Sequence, residues 1–197
     1  IEERNIPDAT VRADEEGVTI TLENIQFHPD SDEMLPGEKA KLDQIAEILK
    51  RYPERDLLIT GGGNEYLTPD AWRYVPATDT WTPAGLGTGN RYAHLAIWTG
   101  REAIVWGGYD QVGALATGAR FDPTASTWTP TSQGPDRPTA RGDLAGVWDG
   151  SRLVLWGGWD GSAALASGGR YDPKTDAWAP ISSTDAPSPR AAHVAVW

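Results

Sequence analysis

Residues 101–130 read REAIVWGGYDQVGALATGARFDPTASTWTP, and residues 151–180 read SRLVLWGGWDGSAALASGGRYDPKTDAWAP. Both carry the same signals in the same order. An apolar run closes on two glycines, Ala103–Gly108 in one and Leu153–Gly158 in the other. Arg120-Phe121-Asp122-Pro123 and Arg170-Tyr171-Asp172-Pro173 follow, and five residues past each Pro stands Trp128 or Trp178. A third copy runs from Leu57–Gly62 through Arg73-Tyr74-Val75-Pro76 to Trp81. Upstream, Arg-x-x-(His/Leu) recurs at Arg91/His94, Arg141/Leu144 and Arg190/His193, each followed four residues later by Trp98, Trp148 or Trp197.

The physical content of this unit is a four-stranded sheet. AIVW and LVLW are apolar at successive positions, so both faces of the sheet must be covered, and stacking one sheet on the next does that. Paired glycines (Gly61-Gly62, Gly107-Gly108, Gly157-Gly158) end this strand where a Cβ would obstruct a tight turn or an approaching backbone. Asp-Pro followed by small polar residues predicts a hairpin, with Pro fixing φ and Asp bonding its own backbone. Each of Trp81, Trp128 and Trp178 is a large apolar wedge whose ring N–H requires an acceptor.

The glycine pair, the Arg-aromatic-Asp-Pro turn, the Trp at fixed offset and the period near fifty residues together resemble Kelch repeats, the blades of a β-propeller. The resemblance covers residues 55–197 and implies a mainly β fold of three four-stranded units. The last copy holds only a first strand, Ala191–Trp197, and the first copy lacks one, so the termini are expected to complete a single blade. Propellers close with about four to eight blades. Two chains joined head to tail, forming a six-bladed homodimeric ring, are one expected solution, and an excerpt of a longer propeller is the other.

All ten Trp lie after residue 60, while the first sixty residues hold 15 Asp/Glu against 7 Lys/Arg and so carry most of the net charge of -11. That acidic balance speaks against a nucleic-acid groove. The absence of cysteine excludes disulfides, thiolate chemistry and a cysteinyl radical site. No apolar run approaches the ~18 residues of a membrane span.

The early segment reads as strand (Gly17 to Phe27), helix (Gly37 to Arg51, with Leu42, Ile45, Ala46 and Leu49 on one stripe) and strand (Arg55 to Thr60). With the Phe27-His28-Pro29-Asp30-Ser31 turn, this βαβ order over residues 10–61 resembles the first half of the OmpA-like domain, a peptidoglycan-binding module of bacterial envelopes. That resemblance implies a periplasmic or outer-membrane-associated location. The family's later His-Thr-Asp and Leu-Ser-x-x-Arg-Ala elements, which hold diaminopimelate, are absent downstream, so no residue is assigned to peptidoglycan. The expected domains are 1–60 and 61–197, sharing strand 55–60.

Candidate sites divide between loops and strands. Tyr66, Tyr109 and Trp159 fall in the loops after the glycine pairs and are expected as anchors for a protein or glycan partner. Arg73, Arg120 and Arg170 recur before an aromatic and would either bridge blades or bind an anion. His94 and His193 occupy a position that is Leu144 in the copy between them, which predicts a packed strand position. Asn64, Asp110 and Asp160 are expected as turn caps, because one carboxylate per loop is too few for calcium. Gly61-Gly62-Gly63 lacks the Lys-Ser/Thr of a phosphate loop. No catalytic residue, metal or cofactor is assigned. The favoured function is a non-enzymatic interaction scaffold; the alternatives are an enzyme with its site in the propeller channel and a fusion or fragment without selected activity.

Overall fold

In the computed structural model of the chain, the described residues are 5–6, 9–14, 17–22, 57–60, 71–85, 87 and 89–196. The predicted helix over 37–51, and Gly61, Gly62, Tyr66 and Trp197, lie outside them. Every regular element among the described residues is a strand. The chain divides into two compact units, residues 1–58 with 73–82, and residues 59–72 with 83–197.

The first unit contains an antiparallel meander of β1 (Asn5–Ile6), β2 (Ala9–Asp14) and β3 (Gly17–Leu22). β3 matches the start of the predicted strand, whereas β2 was not foreseen. Its alanines at 9 and 13 and charges at 12 and 14 give a weak strand signal, and pairing with β3 from Ala9↔Leu22 to Asp14↔Gly17 supplies what propensity does not. β4 (Leu57–Thr60), β5 (Ala71–Val75) and β6 (Thr80–Gly85) make a separate three-stranded sheet in that order. Between β5 and β6, Tyr74 packs on Trp81 with ring centroids 4.8 Å apart.

The second unit holds two four-stranded antiparallel sheets: β7 (Leu95–Trp98), β8 (Ala103–Trp106), β9 (Gly118–Asp122) and β10 (Thr127–Pro130), then β11 (Ala145–Trp148), β12 (Leu153–Trp156), β13 (Gly168–Asp172) and β14 (Ala177–Pro180). Each is the unit expected of the repeat. In both, the aromatic of the Arg-aromatic motif sits directly across from the Trp: Phe121↔Trp128 and Tyr171↔Trp178. The hairpins between these strands are closed as predicted, with Asp122 Oδ1 accepting from the backbone N–H of Thr124 and Ala125, and Asp172 Oδ1 from that of Lys174.

The core lies between the two sheets. Ile104 and Trp106 from β8 meet Leu153, Leu155, Tyr171 and Trp178, with the Trp106 and Trp178 rings 5.3 Å apart. All four residues of β8 are buried, Ile104 and Trp106 of them against the second sheet. In β12 the burial alternates instead: Leu153 and Leu155 face the core, while Val154 and Trp156 are only half-buried. Aromatic rings of this kind remove roughly 150–250 Å² each from water, so these stacked contacts dominate the cohesion of the pair.

Two expectations are corrected in detail. Residues 191–196 form no strand: the start of the copy docks normally, with Arg190 and Ala192 bonded as in the preceding repeats, but beyond His193 no described strand pairs with it and Val194 and Val196 are 80 % exposed. The Trp indole finds an acceptor in only one of the two sheets. Trp128 Nε1 donates to Ala84 O at 2.7 Å. Trp178 Nε1 is buried without a described partner.

Candidate interaction surface

In an antiparallel meander, alternate connections fall at the same end of the sheet. The loops after β8 and β12 (107–117 and 157–167) therefore share an end with the segments 131–144 and 181–194 that follow β10 and β14.

This end is built on the glycine pairs. Gly107 and Gly108 have φ of 73° and 89°, a region that a side chain tolerates poorly, and a Cβ on Gly107 would lie 2.6 Å from Arg141 O. The space so preserved admits the start of the next copy: Gly108 N–H donates to Arg141 O at 2.8 Å, and Arg141 N–H donates to Leu115 O at 3.0 Å. Gly158 and Arg190 repeat the first of these bonds. A further backbone bond runs from copy to copy through residues in the left-handed region, Asp143 N–H to Ala93 O and Ala192 N–H to Asp143 O.

Arg91 and Arg141 are architectural. The Arg141 guanidinium, fully buried, donates to Gly157 O and Ser167 O, and through Nε to Thr139 O. Arg91 donates in the same way to Gly107 O and Thr117 O. Burial lowers both guanidinium pKa values to about 10, which leaves them charged at neutral pH. Arg190 is exposed and lies over the Trp156 ring at 5.9 Å.

The loop tips are Asx turns. Asp110 Oδ1 accepts from Val112 and Gly113, and Asp160 Oδ1 accepts from Ser162 and Ala163, so both carboxylates serve as turn caps and both pKa values are lowered chiefly by these bonds. No group of three or more metal-ligating side chains gathers among the described residues.

This end carries a row of three aromatics, Tyr92, Tyr109 and Trp159. Tyr92 and Tyr109 pair across an isolated bridge with ring centroids 5.4 Å apart. The Tyr109 ring packs on Gly142, where a Cβ would come within 2.1 Å of it, and its hydroxyl is placed to donate to Trp159 O at 2.9 Å or Asp143 Oδ2 at 3.1 Å. Burial, followed by the Asp143 carboxylate, raises the Tyr109 pKa to about 12. Tyr92 and Trp159 are 42 % and 39 % exposed, and Val112 at the loop tip is 95 % exposed.

Of the residues expected as anchors, the structure brings Tyr109 and Trp159 together; Tyr66 is outside the described residues. Tyr92 was missed, although it stands next to the recurrent Arg, because its pairing with Tyr109 depends on strand register. Arg73, Arg120 and Arg170 lie in β5, β9 and β13 rather than in these loops. Arg120 bridges the two sheets through Pro173 O at 3.1 Å and also meets Glu102 at 3.5 Å; Arg170 is exposed. His94 and His193 pack against the glycine pairs, as Leu144 does. His94 Nε2 hydrogen-bonds Thr60 Oγ1 at 2.9 Å, and burial, with help from Arg91, depresses its pKa to about 4. Its neutral form is therefore the one the fold holds.

Residues 54–197 match the family model described as the KLHDC2/KLHL20/DRC7 Kelch-repeats domain. No curated protein matches the chain at a significant level.

Proposed function

The chain belongs to the Kelch-repeat family through residues 54–197, and on that premise we propose that it is a protein-interaction scaffold whose binding surface is the loop end carrying Tyr92, Tyr109 and Trp159. The observation that supports this most is the aromatic row itself. Two large rings stay substantially exposed at the end of a framework that buries the aromatic rings Trp106, Phe121, Tyr171 and Trp178. Exposed aromatics on a rigid scaffold are characteristic anchors of protein interfaces. Panning a random peptide library against the full chain tests the reading: recovered peptides should lose affinity for Trp159→Ala, and peptides indifferent to Trp159 and Tyr92 would overturn it. A glycan is the other ligand class that such rings accept, and a glycan array is the corresponding screen.

The homodimeric ring also belongs to this proposal. Val154, Trp156 and Arg170 hold the repeat positions of Ile104, Trp106 and Arg120, which the neighbouring sheet covers or engages. A second copy offers a sheet of the same kind for that half-open face. Light scattering should show a dimer, and a monomer across the micromolar range would contradict it.

The OmpA-like reading of the N-terminal segment, the domain division 1–60 and 61–197, and a bacterial-envelope location form one further proposal. Strands at Gly17–Leu22 and Leu57–Thr60, where the resemblance expects them, support it. Co-sedimentation with peptidoglycan sacculi should give no binding, because the diaminopimelate-holding elements are missing from the sequence; retention on sacculi would contradict that.

A further inference from the structure

The repeats act as internal controls, since a side chain that the counterpart positions lack is not required by the backbone framework common to the copies. Asp143 has Ala93 and Ala192 as its counterparts, and all three adopt φ near +50°. The backbone conformation therefore needs no carboxylate there. Tyr92 has Gly142 and Ala191 as counterparts, and Val112 has Ser162. Two of these copy-specific residues converge on Tyr109: the Tyr92 ring is 5.4 Å away and Asp143 Oδ2 is 3.1 Å from its hydroxyl.

We infer that this convergence is a subsite for an arginine or lysine side chain of a partner protein, with Tyr92, Tyr109 and Trp159 receiving the aliphatic stem and cation and Asp143 pairing the charge. The inference rests on the interaction-surface reading and adds the chemistry of the partner. Cations bind over Tyr and Trp faces within about 6 Å, and a nearby carboxylate fixes their position. The protein's own cations at this end are engaged elsewhere. Arg91 and Arg141 are buried against carbonyl groups, Arg137 bonds Gln133, and Arg190 bonds Ser188. Asp110 and Asp160 add negative charge beside the row while their Oδ1 atoms close the turns.

Fluorescence anisotropy on the full chain, with labelled nonapeptides carrying two Arg, two Lys or two Glu in a Gly/Ser background, tests this. The Arg and Lys peptides should bind at least about ten-fold tighter than the Glu peptide. Asp143→Ala, which restores the residue of the two counterpart positions, should remove about ten-fold of that affinity, as should Trp159→Ala, while Asp136→Asn, an equal change in net charge at an exposed site on the same end, should not. Equal losses from Asp143→Ala and Asp136→Asn, or equal binding of the Glu peptide, would overturn the cation subsite. If library-selected peptides depend on Trp159 yet are not basic and ignore Asp143, the subsite fails while the interaction surface stands. If no ligand depends on Trp159 or Tyr92, both fail. Circular dichroism of each variant, compared with the wild type, separates loss of the site from loss of the fold.

Discussion

Tyr171 donates its hydroxyl hydrogen bond to Asp176 Oδ1, five residues on across the hairpin, and Tyr74 makes the same bond to Asp79 at 2.7 Å. The middle copy has Phe121 and Ser126 at these positions. Aromatic and turn residue change together, so the hydroxyl and carboxylate form one unit. Asp176 also accepts from Ser132 N–H at 2.9 Å, which ties the hairpin to the preceding linker.

Tyr171→Phe should therefore destabilise the protein by about 1 kcal/mol, the usual net value of one hydrogen bond, while the ring continues to pack on Trp178. In urea titrations, Tyr171→Phe combined with Asp176→Ser should cost less than the sum of the single changes. Strict additivity would show that the two residues are not coupled.

The recurrent arginines should differ sharply in cost according to their surroundings. Arg141→Met takes the guanidinium donor from the buried Gly157 carbonyl and one of two donors from Ser167 O, the other being Gly157 N–H, and is expected to cost about 2–3 kcal/mol. Arg190→Met, at the same repeat position but exposed, should stay within about 0.5 kcal/mol. Urea midpoints of the two variants provide the comparison.

His94 sets an acid limit on stability. Its pKa in the fold, about 4, lies below the unfolded value of 6.5, so the unfolded chain binds the extra proton between these values. The stabilisation is complete above pH 6.5 and is lost as pH falls from 6.5 towards 4, to a limit of about 3 kcal/mol. His94→Leu, the residue of the next copy at Leu144, should flatten that part of the pH profile and leave the smaller contribution of His193, whose pKa is lowered in the same direction. An unchanged profile would show that His94 is not the group responsible.

Gly142→Ala should damage the aromatic row selectively. The new Cβ would collide with the Tyr109 ring at 2.1 Å, and moving the ring also disturbs its bonds to Asp143 and Trp159. A loss of about 1–3 kcal/mol is expected from overpacking. Near-ultraviolet circular dichroism should report the displaced tyrosine.

The sheets were legible in the sequence because each copy repeats the same physical punctuation: Gly107-Gly108 and Gly157-Gly158 close a strand, Asp122-Pro123 and Asp172-Pro173 make a hairpin, and Trp128 and Trp178 face an aromatic across it. β2 was not legible, since its strand state depends on pairing with β3 rather than on its alanines. Residues 191–196 read as a strand by analogy but have no described partner strand. Tyr109 and Trp159, the proposed anchors, are visible in the sequence as aromatics in loops. Tyr92 and Asp143 are not, because their roles arise from the isolated bridge and from the packing of one copy on the next. A size relation is visible in retrospect: Tyr109 packs on Gly142, and Trp159 is followed in the next copy by Ala191 at the position of Gly142.

Amide hydrogen exchange on the full chain, with and without a peptide recovered by library panning, most directly tests the claim that the loop end carrying Tyr92, Tyr109 and Trp159 is the interaction surface. The account predicts ligand-dependent protection in residues 109–115 and 159–165. Protection confined to the opposite hairpins, 123–126 and 173–176, would contradict it.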